Sequence, residues 1–554
     1  MSYTILIKHA RVIDGTGAPA FMADIALDGA RIARIAGSGE LDGAGADTVI
    51  DAAGKVLCPG FIELHTHYDP QLCWDRTASP AAEHGVTTVV VGNCSLSLAP
   101  VRPDGRDKIT RMYHRIEDLA PEFFSAAVPY HWESFSELMD SWRQGLGINV
   151  GAVVGHSTLR HYVMGAAAQE RQATAAEIDT MCTVLYGALQ GGAFGLSLSY
   201  GHVADERGVP VASSWAGADE RLALARVVAA SGRRYVQSNI NLLDSGVRMA
   251  QIDELAQMAL ESGVSCTALG VMENPISPDQ WREELERVAY WRAQGARLCL
   301  ETQVRPLDLT FRLAGNWILA YYMPAWATIM GGTHAERLMR FADPALRAQL
   351  HADTATFASL FECIYVRDSG ARELAGRRLS EIARERGSSL TDAMLDIAVQ
   401  DGLDTLFDWR DAVHANVDVV AAMLDHPAVR IGGSDAGAHI TQFCGEGDGL
   451  YLLQHYVRTH GRLSLERAIH RLTGELADDF GVADRGVIAP GKFADLVLFD
   501  PDSVGRGAEF LVHDVPGDGG RYVRRAAGID KVLVNGAVLV DRGAYSTARS
   551  GVLV

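Results

Sequence analysis

Two histidines one residue apart stand near the start of the chain, in Pro59-Gly60-Phe61-Ile62-Glu63-Leu64-His65-Thr66-His67. Side chains alternate between the faces of an extended strand, so His65 and His67 project to the same side. Two imidazoles so placed can grip one divalent cation. Alone, the pair is equally consistent with two ordinary core histidines. A second donor follows where the apolar run at 86–91 ends in Gly92-Asn93-Cys94. A thiolate at a strand end is a soft metal ligand, and a bound metal lowers its pKa; the other reading is a buried, inert cysteine. A third run ends in Gly432-Gly433-Ser434-Asp435. An aspartate there can ligate the metal and take a proton from its water, which ionises near pH ~7. Its alternative role is a helix N-cap. Together, His65, His67, Cys94 and Asp435 compose a candidate centre for one or two zinc ions, with Asp435 as the catalytic proton carrier.

Four more residues are candidates for binding a substrate. His439 lies four residues beyond Asp435. A helix starting after Asp435 would put both on one face. His156 and Arg160 follow another strand candidate, and a guanidinium there is suited to clasp a carboxylate; the alternative is a structural ion pair. His202, after the run at 193–199, is a third rim candidate. His414, His455, His460 and His470 read as structural histidines in helical context.

Placing these groups at one rim requires a barrel. Strands are predicted at 86–93, 148–156, 193–199, 234–240, 265–271, 297–303 and 429–435, after the one that carries His65. Helical stretches fall between them at 175–189, 217–231, 248–262, 278–294 and 380–400. Thr174 and Glu177 form a capping box at the start of the first. Apolar strands alternating with amphipathic helices imply a parallel sheet. About eight such units favour closure into a distorted (β/α)8 TIM-like barrel, an α/β fold, over 57–484. Its length calls for insertions, with 101–147 and 304–378 as candidates. Short strands at 1–56 and 485–554 are expected to make one small β-sandwich from both termini. The Gly- and Arg-rich stretch at 502–526 reads as a surface excursion.

Bulk properties narrow the function. Of 554 residues, 48% are apolar and 21% charged, enough to bury a large core without disulfides. The net charge of −19 argues against nucleic acid and acidic membranes as partners, leaving a small-molecule substrate. Association with further copies of the same chain stays open. The eight cysteines are scattered, and the N-terminus lacks a signal-peptide core, which fits a reducing, cytoplasmic setting. The most apolar stretch, 317–330, is shorter than the ~20 residues needed to cross a bilayer.

Several segments resemble the amidohydrolase superfamily, and within it the N-acyl-D-amino-acid deacylase (D-aminoacylase) branch. They are PGFIELHTH at 59–67, HGVTTVVVGNCSLSLAP at 84–100, GHSTLR at 155–160, IGGSD at 431–435 and DRGVIAPGKFADLVLFDP at 484–501. The resemblance implies a zinc-dependent hydrolase with a β-sandwich and a distorted barrel. In that branch a cysteine replaces the carboxylated lysine of other amidohydrolases. His65, His67 and Cys94 match its first three ligands, and Asp435 matches its catalytic aspartate. The branch also carries two histidines at the ends of its fifth and sixth strands. Here those segments read Tyr235-Val236-Gln237-Ser238-Asn239 and Cys266-Thr267-Ala268-Leu269-Gly270. Gln237 and Asn239 offer oxygen donors instead. The reaction implied is cleavage of an amide C–N bond in an N-acyl amino acid or related amide. The rivals are a lactone, a cyclic imide or a non-hydrolytic step on the same barrel, and an inactive ligand-binding relative.

Overall fold

The computed structural model describes residues 2–200, 203–205, 208–242, 244–315 and 317–554. Eight parallel strands follow one another in chain order: β1 (Phe61–Glu63), β2 (Val86–Val91), β3 (Asn149–Gly155), β4 (Gly195–Ser199), β5 (Tyr235–Asn239), β6 (Ser265–Leu269), β7 (Leu298–Thr302) and β8 (Val429–Ile431). Thr66, just past β1, bridges Ala436, just past β8, and so joins the first strand to the last. Every residue of β2 and β3 is buried, as in strands covered on both faces. This is the TIM-like barrel that the alternation of strands and helices implies.

The outer helices match the predicted periodicity. Ala175–Gln190 opens on the capping box: Thr174 Oγ1 accepts the Glu177 N–H at 3.3 Å, and Glu177 accepts the Thr174 N–H at 2.8 Å. Ala218–Ala230, Ser245–Ser262 and Gln280–Ala293 follow. The stretch at 380–400 differs. It divides into Leu379–Arg386 and Leu390–Gln400, because Gly387 turns left-handed at φ 63° and Ser389 caps the second helix.

Those two helices belong to the insertion, not to the barrel wall. Ile382, Met394 and Ile397 share one apolar core with Trp317, Trp326, Phe361 and Phe407. The insertion therefore extends past residue 378 to Leu406–Trp409, the central strand of a small antiparallel sheet with Leu309–Phe311 and Ile364–Asp368. Trp317 stacks on Phe311 at 4.4 Å between centroids and meets Trp326 edge-on at 5.3 Å. Such pairs contribute about 0.5–1.5 kcal/mol each beyond burial. The most apolar stretch of the chain thus fills a core, and no helix among the described residues is long and apolar enough to cross a membrane. The other insertion, 101–147, supplies the helices Arg106–Glu117, Pro121–Ala127 and Phe135–Trp142.

Both termini build one nine-stranded sheet. Tyr3–Val12 pairs with Phe21–Asp28 on one edge. On its other edge it serves first Ala46–Asp51 and then Val56–Pro59, so the sheet divides around a shared apolar core. Val56–Pro59 also pairs with Leu496–Phe499, which carries the sheet to Pro59 rather than ending it at residue 56. The stretch at 502–526 is not an irregular excursion. Gly505–Val515 and Gly519–Ala527 form an antiparallel hairpin, and Arg521 ties it to the barrel through Gln71 and the Ser79 carbonyl.

Candidate metal centre and active site

The Gly92-Asn93-Cys94 turn works as a unit. Gly92 has φ 88°, and a Cβ there would lie 2.4 Å from the Val153 carbonyl oxygen. Only glycine fits both conditions. The Asn93 amide donates to the carbonyls of Leu64 at 3.2 Å, Thr66 at 3.2 Å and Val90 at 3.0 Å. One side chain thereby fastens the histidine segment to the end of β2. Cys94 follows with φ 56°, itself left-handed. On the far side of the rim, Gly437 has φ 89°, and a Cβ there would meet the His67 carbonyl carbon at 2.7 Å. The turn after β8 can therefore press against His67, whose N–H donates to the Ala436 carbonyl at 2.7 Å.

These backbone devices bring four donors together. Cys94 Sγ lies 3.4 Å from His65 Nε2 and 3.6 Å from His67 Nε2. Asp435 Oδ1 lies 3.1 Å from His67 Nε2 and 3.7 Å from His65 Nε2. Both histidines and Cys94 are buried, while the Asp435 side chain keeps 26% exposure. Two imidazole nitrogens and a sulfur converging in a dry pocket form the donor set that zinc selects. A second group of donors, His67, Glu117 and Asp435, meets beside the first.

Burial pushes the Asp435 carboxyl up, but His67, His439 and His65 outweigh it and hold the group well below the usual carboxylate range. Burial lowers His67, and Asp435 offsets this only in part. Burial drives the Cys94 thiol well up, so the thiolate forms there only with a cation at hand.

Two glutamates complete the centre, and neither was singled out in the sequence. Glu301, within β7, places Oε2 2.9 Å from His65 Nδ1. Glu117, the last residue of Arg106–Glu117, places Oε1 3.5 Å from His67 Nδ1. The Glu301 contact is the arrangement that orients a metal-binding histidine, whereas Glu117 stands beside His67 without a hydrogen bond to it. The signal for Glu301 was a charge inside Leu298-Cys299-Leu300-Glu301-Thr302; Glu117 sits in a helix of the insertion with no local mark.

The remaining candidates divide. His439 Nε2 lies 3.7 Å from Asp435 Oδ2, but no helix follows Asp435. Left-handed turns at Asp435 (φ 56°), Gly437 and His439 (φ 49°) bring the two together, and Asp435 is not an N-cap. His156 and Arg160 do not reach the site. They open the helix His156–Met164 on one face and meet Glu220, His156 Nε2 at 2.8 Å and Arg160 in a buried ion pair. Arg160 is fully buried and spoken for, which corrects the expectation that it clasps a substrate carboxylate. His202 lies outside the described residues. Gln237 Nε2 lies 3.4 Å from His65 Nδ1 and 3.2 Å from Asn239 Oδ1, so the end of β5 faces the centre with amides. His414 stands in a loop rather than a helix, with Nε2 2.8 Å from the Gln303 carbonyl.

A cavity of about 210 Å³ opens onto Cys94, Asp435 and His439. Its far wall is apolar: Leu269, Met272, Leu319, Phe357 and Leu360 line it, the last three from the insertion. The insertion therefore roofs the barrel mouth.

Comparison with known proteins agrees with this geometry. Residues 48–540 match the model of the amidohydrolase family. The chain is 29% identical to a D-aminoacylase of Alcaligenes xylosoxydans xylosoxydans, over 99% of this chain and 97% of the relative. It is 29% identical to an N-acyl-D-aspartate deacylase of the same organism, over 99% and 94%. The solved N-acyl-D-glutamate deacylase of Bordetella bronchiseptica, complexed with zinc and a phosphonate mimic of the tetrahedral intermediate, superposes with a TM-score of 0.68 at 27% identity, covering 100% of each chain.

Proposed function

The chain belongs to the amidohydrolase family, and on that premise we propose that it cleaves the amide bond of an N-acyl amino acid or a closely related amide. In this reading His65, His67 and Cys94 hold zinc, and Asp435 both borders the ion and carries the proton. The observation that carries it is the meeting of these four donors at one rim, with Cys94 and Asp435 on the wall of a cavity. Zinc, when bound, polarises a carbonyl and lowers the pKa of its water to about 7.

Asp435 is suited to the proton. Its partly exposed side chain lines the cavity and stands against both imidazoles that would hold the ion. It takes the proton of the attacking water and returns it to the leaving nitrogen, as base and then acid. His439 supports the outer Asp435 oxygen. Glu301 holds the His65 imidazole by its Nδ1 atom, leaving Nε2 for the ion, and Glu117 stands beside His67. The apolar wall supports a substrate with an apolar substituent, and the relatives that deacylate N-acyl-D-amino acids support that substrate class.

The test is a panel of N-acetyl-D- and N-acetyl-L-amino acids, simple amides, cyclic imides and lactones with the zinc-loaded chain. Release of amine from an N-acyl amino acid, lost on chelation and restored by zinc, is the expected result. Turnover confined to lactones or imides would move the reaction to those rivals.

A further inference from the structure

The hairpin Gly505–Val515/Gly519–Ala527 and the roofing insertion meet over a second cavity, of about 170 Å³. It abuts the active-site cavity, since Arg305, Trp409 and Phe443 line both. Five arginines surround it: Arg305 after β7, Arg367 and Arg410 from the insertion, and Arg506 and Arg524 from the hairpin. Carboxylates oppose them. Asp308, Asp408 and Glu509 line the cavity, and Asp448 lies behind it. Asp408 is shared by Arg367 at 3.4 Å and Arg410. Glu509 is shared by Arg524 at 3.2 Å and Arg367 at 3.8 Å. Asp448 is shared by Arg305 at 3.0 Å and Arg506 at 3.8 Å. Asp308 is engaged by the Asp411 N–H at 2.8 Å.

Of the five arginines, Arg506 is the least engaged. Its guanidinium is mostly buried, and its Nη1 has no hydrogen-bond acceptor. The ring of Tyr451, 4.9 Å away, offers only a cation–π contact. Burial, with Arg305 and Arg524 nearby, pushes the Arg506 pKa down to about 10. A buried N–H left unpaired costs about 1–3 kcal/mol, more when charged. The outer arginines are reachable, with Arg410 46% and Arg367 35% exposed, so an ion can enter from solvent.

We propose that this cavity binds a small oxyanion, a carboxylate or phosphate group, with Arg506 as its inner anchor and Arg524, Arg367 and Arg410 around it. The anion has two sources: the acidic end of a substrate that reaches past Arg305 from the active-site cavity, or a free anion acting on the enzyme. The first source rests on the amide-hydrolysis reading above; the site itself does not.

Calorimetric titration of the full chain with inorganic phosphate, at ionic strength held constant with chloride, tests it without turnover. Saturable binding to the wild type is expected, at least tenfold weaker in Arg506→Gln and in Arg367→Gln. The second variant lies at the exposed lip and keeps the test open if Arg506→Gln fails to fold. Kinetics in phosphate then separate the sources: a raised KM for an acidic substrate at constant kcat marks the substrate's own group, and a changed kcat marks a free effector. Absence of saturable binding, or equal binding by wild type and both variants, overturns the proposal.

Discussion

His65 Nδ1 stands 2.9 Å from a carboxylate oxygen of Glu301, and both side chains are fully buried. Burial alone would lower the His65 pKa, yet Glu301 raises it above the usual value. The contact fixes which nitrogen bears the proton and turns Nε2 toward Cys94. Glu301→Gln is therefore expected to weaken zinc binding by about 10–100-fold while the fold is kept. Competition with a chromophoric chelator measures this; wild-type affinity in the variant would remove Glu301 from that role.

Cys94 and Cys266 are both buried thiols, but Cys266 sits at the start of β6 and only Cys94, past the end of β2, faces the two histidines. Cys94→Ser is expected to weaken zinc binding by well over tenfold and Cys266→Ser to leave it unchanged. The same chelator competition compares them, and equal losses would deny Cys94 a ligand's part.

Asp435→Asn keeps the shape of the side chain and discards its basicity. The variant is expected to fold and to lose turnover by about 10²–10⁴-fold, the usual contribution of a general base. Circular dichroism and single-turnover amine release check the two halves. Turnover within a few-fold of wild type would reassign the proton.

Glu220 bears on stability rather than catalysis. Burial raises its carboxyl, but His156 and Arg160 override that and hold it down to about 2, against an ordinary value of 4.5. A folded pKa below the unfolded one stabilises the protein fully above about pH 4.5, and the benefit fades as pH falls toward 2. Glu220→Gln strands the Arg160 guanidinium in the interior, at a cost of about 3–5 kcal/mol. Urea denaturation is expected to show this deficit at pH 7 and a smaller one at pH 3.5. A constant deficit across that range would contradict the ion-pair account.

Much of this was legible in the chain itself, because strand periodicity is local. Alternation anticipated that His65 and His67 share a side, although the strand ends at Glu63 and both lie just past it, and the apolar runs before Cys94 and Asp435 put both beyond strand ends. Of the two readings open for Arg160, the structural ion pair is the one found: proximity to a strand end does not say which way a helix faces, and the four-residue spacing from His156 carries it to Glu220. Glu117 was invisible for a related reason. It reaches His67 only through the packing of an insertion, and no spacing in the sequence encodes that approach. The stretch at 380–400 reads as one helix because its apolar periodicity is continuous; the break at Gly387 makes it two, and both pack into the roof.

Anomalous scattering at the zinc edge, from crystals of the full chain soaked in zinc, examines the centre itself. One peak bounded by His65 Nε2, His67 Nε2, Cys94 Sγ and Asp435 is the predicted result, with or without a second beside Glu117. Density free of any peak among those four side chains, in crystals that take up zinc elsewhere, would contradict it.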